Sequence, residues 1–130
     1  MEYVAVLVAA LGAYAFGAIW YMVNAKPWMA ATGITDEQVA GGAGKSPGPF
    51  IISAIMVIIV AGMTRHIFSL ADIDTVYKGF LSGFGLGAFV VAPWIVTNYA
   101  YSMRPRALTF IDGAYAIVGC TIIGTILTLF

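Results

Sequence analysis

Four long apolar stretches, separated by shorter polar segments, constrain this chain more than any other feature of its sequence. A helix that crosses a bilayer needs about 20 mostly apolar residues, because the hydrocarbon is about 30 Å thick and each residue rises about 1.5 Å. The stretches meet that length and cover about residues 3–23, 50–70, 76–96 and 107–130. With 62% apolar and only 9% charged residues, the chain lacks the polar surface of a water-soluble domain. We therefore predict a multi-pass integral membrane protein.

The fold class follows from what lipid demands of the backbone. Backbone groups in hydrocarbon must be hydrogen-bonded within the protein, so only helices and closed barrels span a membrane. The four runs are continuously apolar rather than alternating, which favours helices. We predict an all-α bundle of four transmembrane helices that forms a single domain over residues 1–130. The first span opens with Met1-Glu2 rather than with a basic segment, so we expect it to be retained and not cleaved as a signal peptide.

The longest connection, from about Asn24 to Gly48, carries a helix-start signal. Thr35 can cap a helix, and Gln38 three residues later can return the bond, which is the capping-box pattern. We predict a short surface helix here, followed by a flexible run at Gly41–Gly44. The proline cluster beyond that run predicts a second span that begins at or after Pro49.

Basic residues are unevenly distributed between the two ends of the predicted spans. Four spans place both termini on one membrane face, together with the turn between the second and third spans. The opposite face carries more basic side chains, namely Lys26, Lys45, Arg104 and Arg106, against Arg65, Lys78 and the terminal amine on the first. Because cytoplasmic loops carry the excess of Lys and Arg, we expect both termini to lie outside the cytoplasm.

Small residues recur at helical spacing in three of the spans. Lipid gives helices no hydrophobic reason to associate, so close contact through small side chains has to contribute. The stripes are Gly79, Gly83 and Gly87 in the third span, Ala5, Ala9, Ala13 and Gly17 in the first, and Ala116, Cys120 and Gly124 in the fourth. We expect these stripes to pack within the bundle, and a contact with a second subunit is the alternative.

Composition and motifs argue against several function classes. Six basic residues balance six acidic ones, so no basic field favours a nucleic-acid partner. The single cysteine, Cys120, permits neither an internal disulfide nor a thiolate cage, and we expect no metal and no cofactor. Gly44-Lys45-Ser46 resembles the end of a phosphate-binding loop, but Val39 stands where that motif needs a glycine. Arg65 lies near the end of the second span and is expected to extend to water.

Asp112 is the charged residue within a span that most needs an explanation. A carboxylate there costs about 3 kcal/mol on insertion scales, so it should face the bundle and find a partner or be protonated. Its candidate neighbours emerge on the same membrane face: Trp20, Tyr21, Lys26, Trp28, Asn98, Tyr99, Arg104, Arg106 and Tyr115. Part of this cluster is the usual aromatic belt. We favour an ion pair with Arg104 or Lys26 over a neutral carboxyl hydrogen-bonded near Tyr115.

Two segments resemble the bacterial membrane proteins grouped as DUF1761. The opening motif is Gly17-Ala18-Ile19-Trp20-Tyr21 followed by Lys26-Pro27-Trp28-Met29-Ala30-Ala31, and the closing motif is Asn98-Tyr99-Ala100-Tyr101, Arg104, Arg106-Ala107-Leu108-Thr109 and Ile111-Asp112-Gly113. The resemblance covers nearly the whole chain and implies a location in the bacterial cytoplasmic (inner) membrane. Many members have histidine and tryptophan where Tyr115 and Ala116 stand, which argues against a role that needs an imidazole beside Asp112. The family has no established activity, so the resemblance implies fold and location.

These features favour a non-enzymatic membrane protein that works through helix packing. It would act as an accessory or structural subunit of a larger membrane complex, or as a homo-oligomer within the bilayer. The alternative is an oligomeric channel or transporter for a small solute or protons that uses Asp112, since four spans are too few for alternating access in a monomer. An intramembrane enzyme ranks third, because Asp112 and Tyr115 lack a second acid, a metal ligand or an activated nucleophile.

Overall fold

The protein is an all-α bundle, as predicted, with four helices long and apolar enough to cross a membrane. The computed structural model describes residues 1–41 and 46–130. Its helices are α1 (Glu2–Val23), α2 (Ala25–Thr32), α3 (Asp36–Ala40), α4 (Gly48–Leu70), α5 (Val76–Leu86), a π-helical segment (Gly87–Val91), α6 (Ala92–Tyr101) and α7 (Arg106–Leu127). The third span consists of α5, the π segment and α6, which together form one continuous rod of 26 residues.

The observed ends of the spans differ from the predicted ones mainly in the third. The sequence predicts an end near Val96, whereas the helix continues to Tyr101. Polar side chains after Val96 lower the hydropathy, but they do not interrupt the backbone hydrogen bonds that define a helix. In contrast, α4 begins at Gly48, one residue before the expected limit of Pro49, because a proline is accommodated in the first turn of a helix.

The first loop contains the predicted capped helix and one that the sequence analysis missed. Thr35 Oγ1 accepts from the Gln38 amide at 3.3 Å, and Gln38 Oε1 accepts from the Thr35 amide at 2.9 Å, which confirms the capping box at the start of α3. The unpredicted helix is α2, which follows α1 directly. Of the predicted flexible run at Gly41–Gly44, only Gly41 falls within the described residues, and Lys45 lies outside them.

Helix α7 lies at the centre of the bundle. It packs against α1, α4, α5 and α6, whereas α4 packs mainly on α1 and reaches α7 less extensively. The core between α1, α4 and α7 is built from small residues of α1 facing larger side chains of its neighbours: Ala5, Ala9, Ala10, Ala13, Val57, Ala61, Phe68, Ile123 and Leu127. The alanine stripe therefore allows α1 to approach both partners closely.

The glycine stripe of the third span packs against α7 within this chain. A Cβ atom added to Gly83 would overlap the Cys120 carbonyl, and one added to Gly87 would lie 2.6 Å from the Ile117 Cα. In the opposite direction, a Cβ on Gly124 would lie 2.9 Å from the Gly83 Cα. In this contact, which we call the α5–α7 seam, the backbones of the two helices touch at a distance that only glycine permits.

Arg65 extends to water only in part, because its side chain also contacts the end of α7. Its side chain is only 27% exposed, and Nη1 donates to the Leu127 carbonyl at 3.2 Å. The last carbonyls of a helix have no intrahelical donor, so the end of α7 offers an acceptor that the sequence alone does not reveal. Arg65 therefore joins the end of α4 to the end of α7.

Candidate functional site

Three spans meet at the carboxyl group of Asp112. Asp112 lies in the second turn of α7, Tyr21 in the last turn of α1, and Tyr99 near the end of α6. The Tyr21 hydroxyl donates to Asp112 Oδ1 at 2.5 Å, and the Tyr99 hydroxyl donates to Oδ2. Each carboxyl oxygen is thus bonded by a phenol from a different span.

The π segment decides which residue of the third span reaches Asp112. It adds one residue to a helical turn, and the Ala92 amide accordingly donates to the Gly87 carbonyl five residues earlier. The residues that contact α7 therefore shift by one position beyond the segment. Ala92 is buried and Tyr99 is half-buried, whereas Asn98 is exposed. The register shift brings the phenol of Tyr99, and not the amide of Asn98, to the carboxyl group.

A proline accompanies this change of register. Pro93 has no amide hydrogen, so it cannot donate to the carbonyl of Phe89 as a residue in a regular helix would. Kinks in long helices arise at prolines and at π-bulges, and here the two are adjacent, since Pro93 follows the segment Gly87–Val91 by two positions. The glycine that begins the segment and the proline that follows it are the sequence signals that could have indicated the shift.

Aromatic side chains enclose the Tyr21 phenol. The Tyr115 ring lies edge-on to it at a centroid distance of 5.3 Å, and the Trp28 ring does so at 6.4 Å. Gly17 leaves room for Tyr115, because a Cβ atom there would lie 2.7 Å from the ring. Tyr115, the neighbour expected beside a neutral carboxyl, is not one of its donors. The donors are Tyr21 and Tyr99, and Tyr115 packs against Tyr21.

Trp20 fixes α1 to α7 beside the same site. Its indole Nε1 donates to the Ile111 carbonyl at 3.0 Å, one residue before Asp112. Its ring also stacks on Phe16 at 5.9 Å. The bond occupies a backbone carbonyl of α7 and sets the rotation of that helix relative to α1.

The expected ion pair at Asp112 is wrong. Lys26, Asn98, Arg104 and Arg106 are all exposed, and among the described residues neither Arg104 nor Lys26 forms a salt bridge with Asp112. Lys26 lies on α2, the helix that follows α1. The chain leaves α6 before it reaches Arg104, through Met103, whose φ of 55° is left-handed. The predicted cluster thus separates into an inner group and an outer group. The inner residues are Trp20, Tyr21, Trp28, Tyr99, Asp112 and Tyr115, and the basic side chains lie outside them.

The site's chemistry is that of a hydrogen-bonded carboxyl among phenols. Within residues 1–41 and 46–130, no group of three His, Cys, Asp or Glu side chains is placed to hold a metal ion. Cys120 is buried where α5 packs against α7, and its carbonyl faces Gly83. The arrangement joins three helices through one half-buried carboxyl group.

The fold and this site define a small multi-pass membrane protein of four spans, joined at one end by a partly buried polar contact. More specifically, the chain belongs to the family described as "Protein of unknown function (DUF1761)", whose model matches residues 4–128. This confirms the family resemblance of the two terminal motifs. Comparisons with curated proteins and with solved structures gave no match.

Proposed function

We propose that this protein is a non-enzymatic membrane protein that acts through helix packing, as an accessory subunit of a larger membrane complex or as a homo-oligomer. The observation that carries the proposal is the state of Asp112, the acidic residue that the sequence analysis identified as most in need of an explanation. Both of its oxygens accept hydrogen bonds from tyrosines of other spans. A carboxyl group bonded in this way serves the bundle, since a partly buried acceptor left without donors would destabilise it.

Helix α4 offers one exposed apolar surface for assembly. The glycine stripe of the third span is already covered by α7 of the same chain, so it cannot serve a second subunit. Helix α4 packs on α1 and, less extensively, on α7, and its outward side carries large exposed apolar residues, among them Phe50, Ile52, Ile55 and Ile59. Such a surface contacts lipid or the helix of a partner.

The test is isolation of the untagged protein from its native membrane in mild detergent, with identification of what migrates with it. Two variants of matched exposure locate the contact: Ile55→Trp on α4, where the parent residue is 48% exposed, and Val90→Trp on the third span, where it is 49% exposed. We expect Ile55→Trp to release the partner or second copy and Val90→Trp to retain it. Retention by both variants would contradict the α4 contact, and a monomer without a partner would contradict the whole proposal.

One observation favours a second candidate, a proton-coupled channel or transporter. Asp112 lies within a span and is bonded by hydroxyl groups rather than by a basic side chain, and ionisable residues inside membranes commonly mark proton pathways. Proteoliposomes containing a pH-sensitive dye test this candidate. Flux that disappears in Asp112→Asn, while the variant stays folded, would favour it. Flux no greater than that of empty liposomes would exclude proton transport.

We also propose a bacterial cytoplasmic membrane with both termini outside the cytoplasm. The support is the number of basic residues on the loops between the first and second and the third and fourth spans. Single cysteines at Glu37 and at Asp74, on a Cys120→Ala background, test this orientation with an impermeant reagent on intact cells. Labelling at Asp74 alone is expected, and labelling at Glu37 alone would reverse the orientation.

A further inference from the structure

A second polar site lies at the opposite end of the bundle from Asp112. A cleft of about 290 Å³ is formed there by the end of α4, the turn that follows it and the end of α7. Its polar lining comes from Arg65, Ser69, Asp72, Asp74 and Thr128. Because α4 and α7 both end beside it, the cleft lies at the level where lipid headgroups meet the protein. Its volume is at the small end of ligand sites, which suits a headgroup-sized molecule.

Arg65 has hydrogen-bonding capacity that the described residues do not use. Only Nη1 has a hydrogen bond, to the Leu127 carbonyl. Nε is buried and has no hydrogen-bond partner among residues 1–41 and 46–130, since the nearest carboxylate, Glu2 Oε1, is 3.8 Å away. A guanidinium carries five donors in a fixed planar fork, which matches the oxygens of a phosphate. Nε itself is buried beside Glu2, so a phosphate in the cleft would meet the exposed part of the guanidinium, whose side chain is 27% exposed and lines the cleft.

The rim of the cleft carries two carboxylates, Asp72 and Asp74, whose charge is opposite to that of Arg65. Asp74 is balanced by Lys78, whose Nζ lies 2.8 Å from Asp74 Oδ1. Asp72 has no salt bridge within the part of the chain that the structure describes, because Lys78 contacts its backbone carbonyl and not its carboxylate. A ligand that carried only negative charge would be repelled by Asp72. A ligand with a phosphate for Arg65 and an ammonium group for Asp72 satisfies both.

We propose that this cleft binds the phosphoethanolamine headgroup of a membrane lipid. The phosphate lies on Arg65, and the primary ammonium group donates to Asp72. Phe68 and Ile73 supply apolar lining beside Arg65, where the glycerol and first acyl carbons of the lipid would lie. A choline headgroup has no N–H to donate and is bulkier, and a glycerol headgroup has no positive charge, so both should bind more weakly.

Native mass spectrometry of the detergent-purified protein tests the proposal. The protein is mixed with equal amounts of phosphatidylethanolamine, phosphatidylglycerol and phosphatidylcholine that carry the same acyl chains. We expect the parent to retain the ethanolamine lipid about tenfold over the other two, the size of effect given by one hydrogen bond to a charged group. Arg65→Gln should lower the retention of all three lipids. Arg106→Gln, which removes an exposed arginine at the other membrane face, should leave the preference unchanged.

Asp72→Asn separates headgroup recognition from folding. Asp72 has a left-handed backbone with φ of 52°, a conformation that asparagine tolerates as well as aspartate does. This variant should therefore fold and bind the ethanolamine and glycerol lipids equally. It decides the question even if Arg65→Gln fails to fold after losing its bond to Leu127. Equal retention of all three lipids by the parent, or an unchanged preference in Asp72→Asn, would overturn the proposal. Displacement of the lipid by an equal concentration of soluble phosphoethanolamine would overturn its assignment to a lipid.

Discussion

The α5–α7 seam makes the sharpest quantitative prediction, and Gly83→Ala is the change that tests it. The added Cβ atom would lie 3.1 Å from the Thr121 Cα and 3.2 Å from the Cys120 carbonyl carbon, and closer still to the carbonyl oxygen. All three are backbone atoms of the facing helix, so no rotation of a side chain can relieve the contact. The two helices must separate.

The expected cost follows from two opposing contributions. Overpacking of a close contact costs about 1–3 kcal/mol, and the upper end applies because the whole of α5 must move. Replacing glycine by alanine inside a helix returns about 1 kcal/mol through helix propensity. We therefore expect Gly83→Ala to lower the free energy of unfolding by about 2 kcal/mol.

Gly85 supplies the matched control on the same helix. A Cβ atom at Gly85 would meet nothing within 4 Å, so Gly85→Ala retains the propensity gain and should stabilise by about 0.5–1 kcal/mol. The assay is reversible unfolding in mixed micelles by titration with a denaturing detergent. Two changes of opposite sign are expected, at any protein concentration, because the seam lies within one chain. If Gly83→Ala is at least as stable as the parent, or if its effect depends on protein concentration, the intrachain seam is refuted.

Two further predictions concern polar contacts at the two ends of the bundle. Asp112→Asn should lower the free energy of unfolding by only about 1 kcal/mol, because the amide oxygen retains one phenol donor. Tyr21→Phe or Tyr99→Phe should then cost less in the Asp112→Asn background than in the parent. Additive losses in these double-mutant cycles would contradict the shared carboxyl. At the other end, the hydrogen bond and charge of Lys78 lower the pKa of Asp74, so its stabilising effect is present above the unfolded pKa and is lost as the pH falls through the folded pKa. Carboxyl chemical shifts measured by NMR should show that Lys78→Gln raises this pKa, and an unchanged titration would contradict the pairing.

The spans and the α3 cap were predictable because their signals are local. An uncharged apolar run of sufficient length has few structural alternatives in lipid, and a capping box depends on residues only three positions apart, such as Thr35 and Gln38. The spacing of Gly79, Gly83 and Gly87 likewise marks one face of a helix, although it does not identify the helix that covers that face. The covering helix is α7, and the packing of the third span against the fourth is known only from the structure.

The partners of Asp112 were not predictable from sequence proximity. Arg104 and Arg106 precede it closely in the chain, and this made an ion pair attractive, yet both are exposed. Water solvates their charges at little cost, whereas bringing a guanidinium into the bundle would require desolvation. Tyrosine reaches the carboxyl with an apolar ring and a single donor, so Tyr21 and Tyr99 satisfy it without burying a second charge.

The glycine seam and the polar contact depend on each other through the π segment. Glycines four residues apart hold α5 against α7 as far as Gly87, and in a regular helix the position facing Asp112 would then belong to Asn98. The extra residue in Gly87–Val91 moves Tyr99 into that position. A primary amide carries two N–H donors and a carbonyl acceptor that would each need a partner, whereas the phenol brings one hydroxyl on a rigid, apolar ring. The irregularity in the third span therefore allows one helix to use glycine contacts at one end and a tyrosine hydrogen bond at the other.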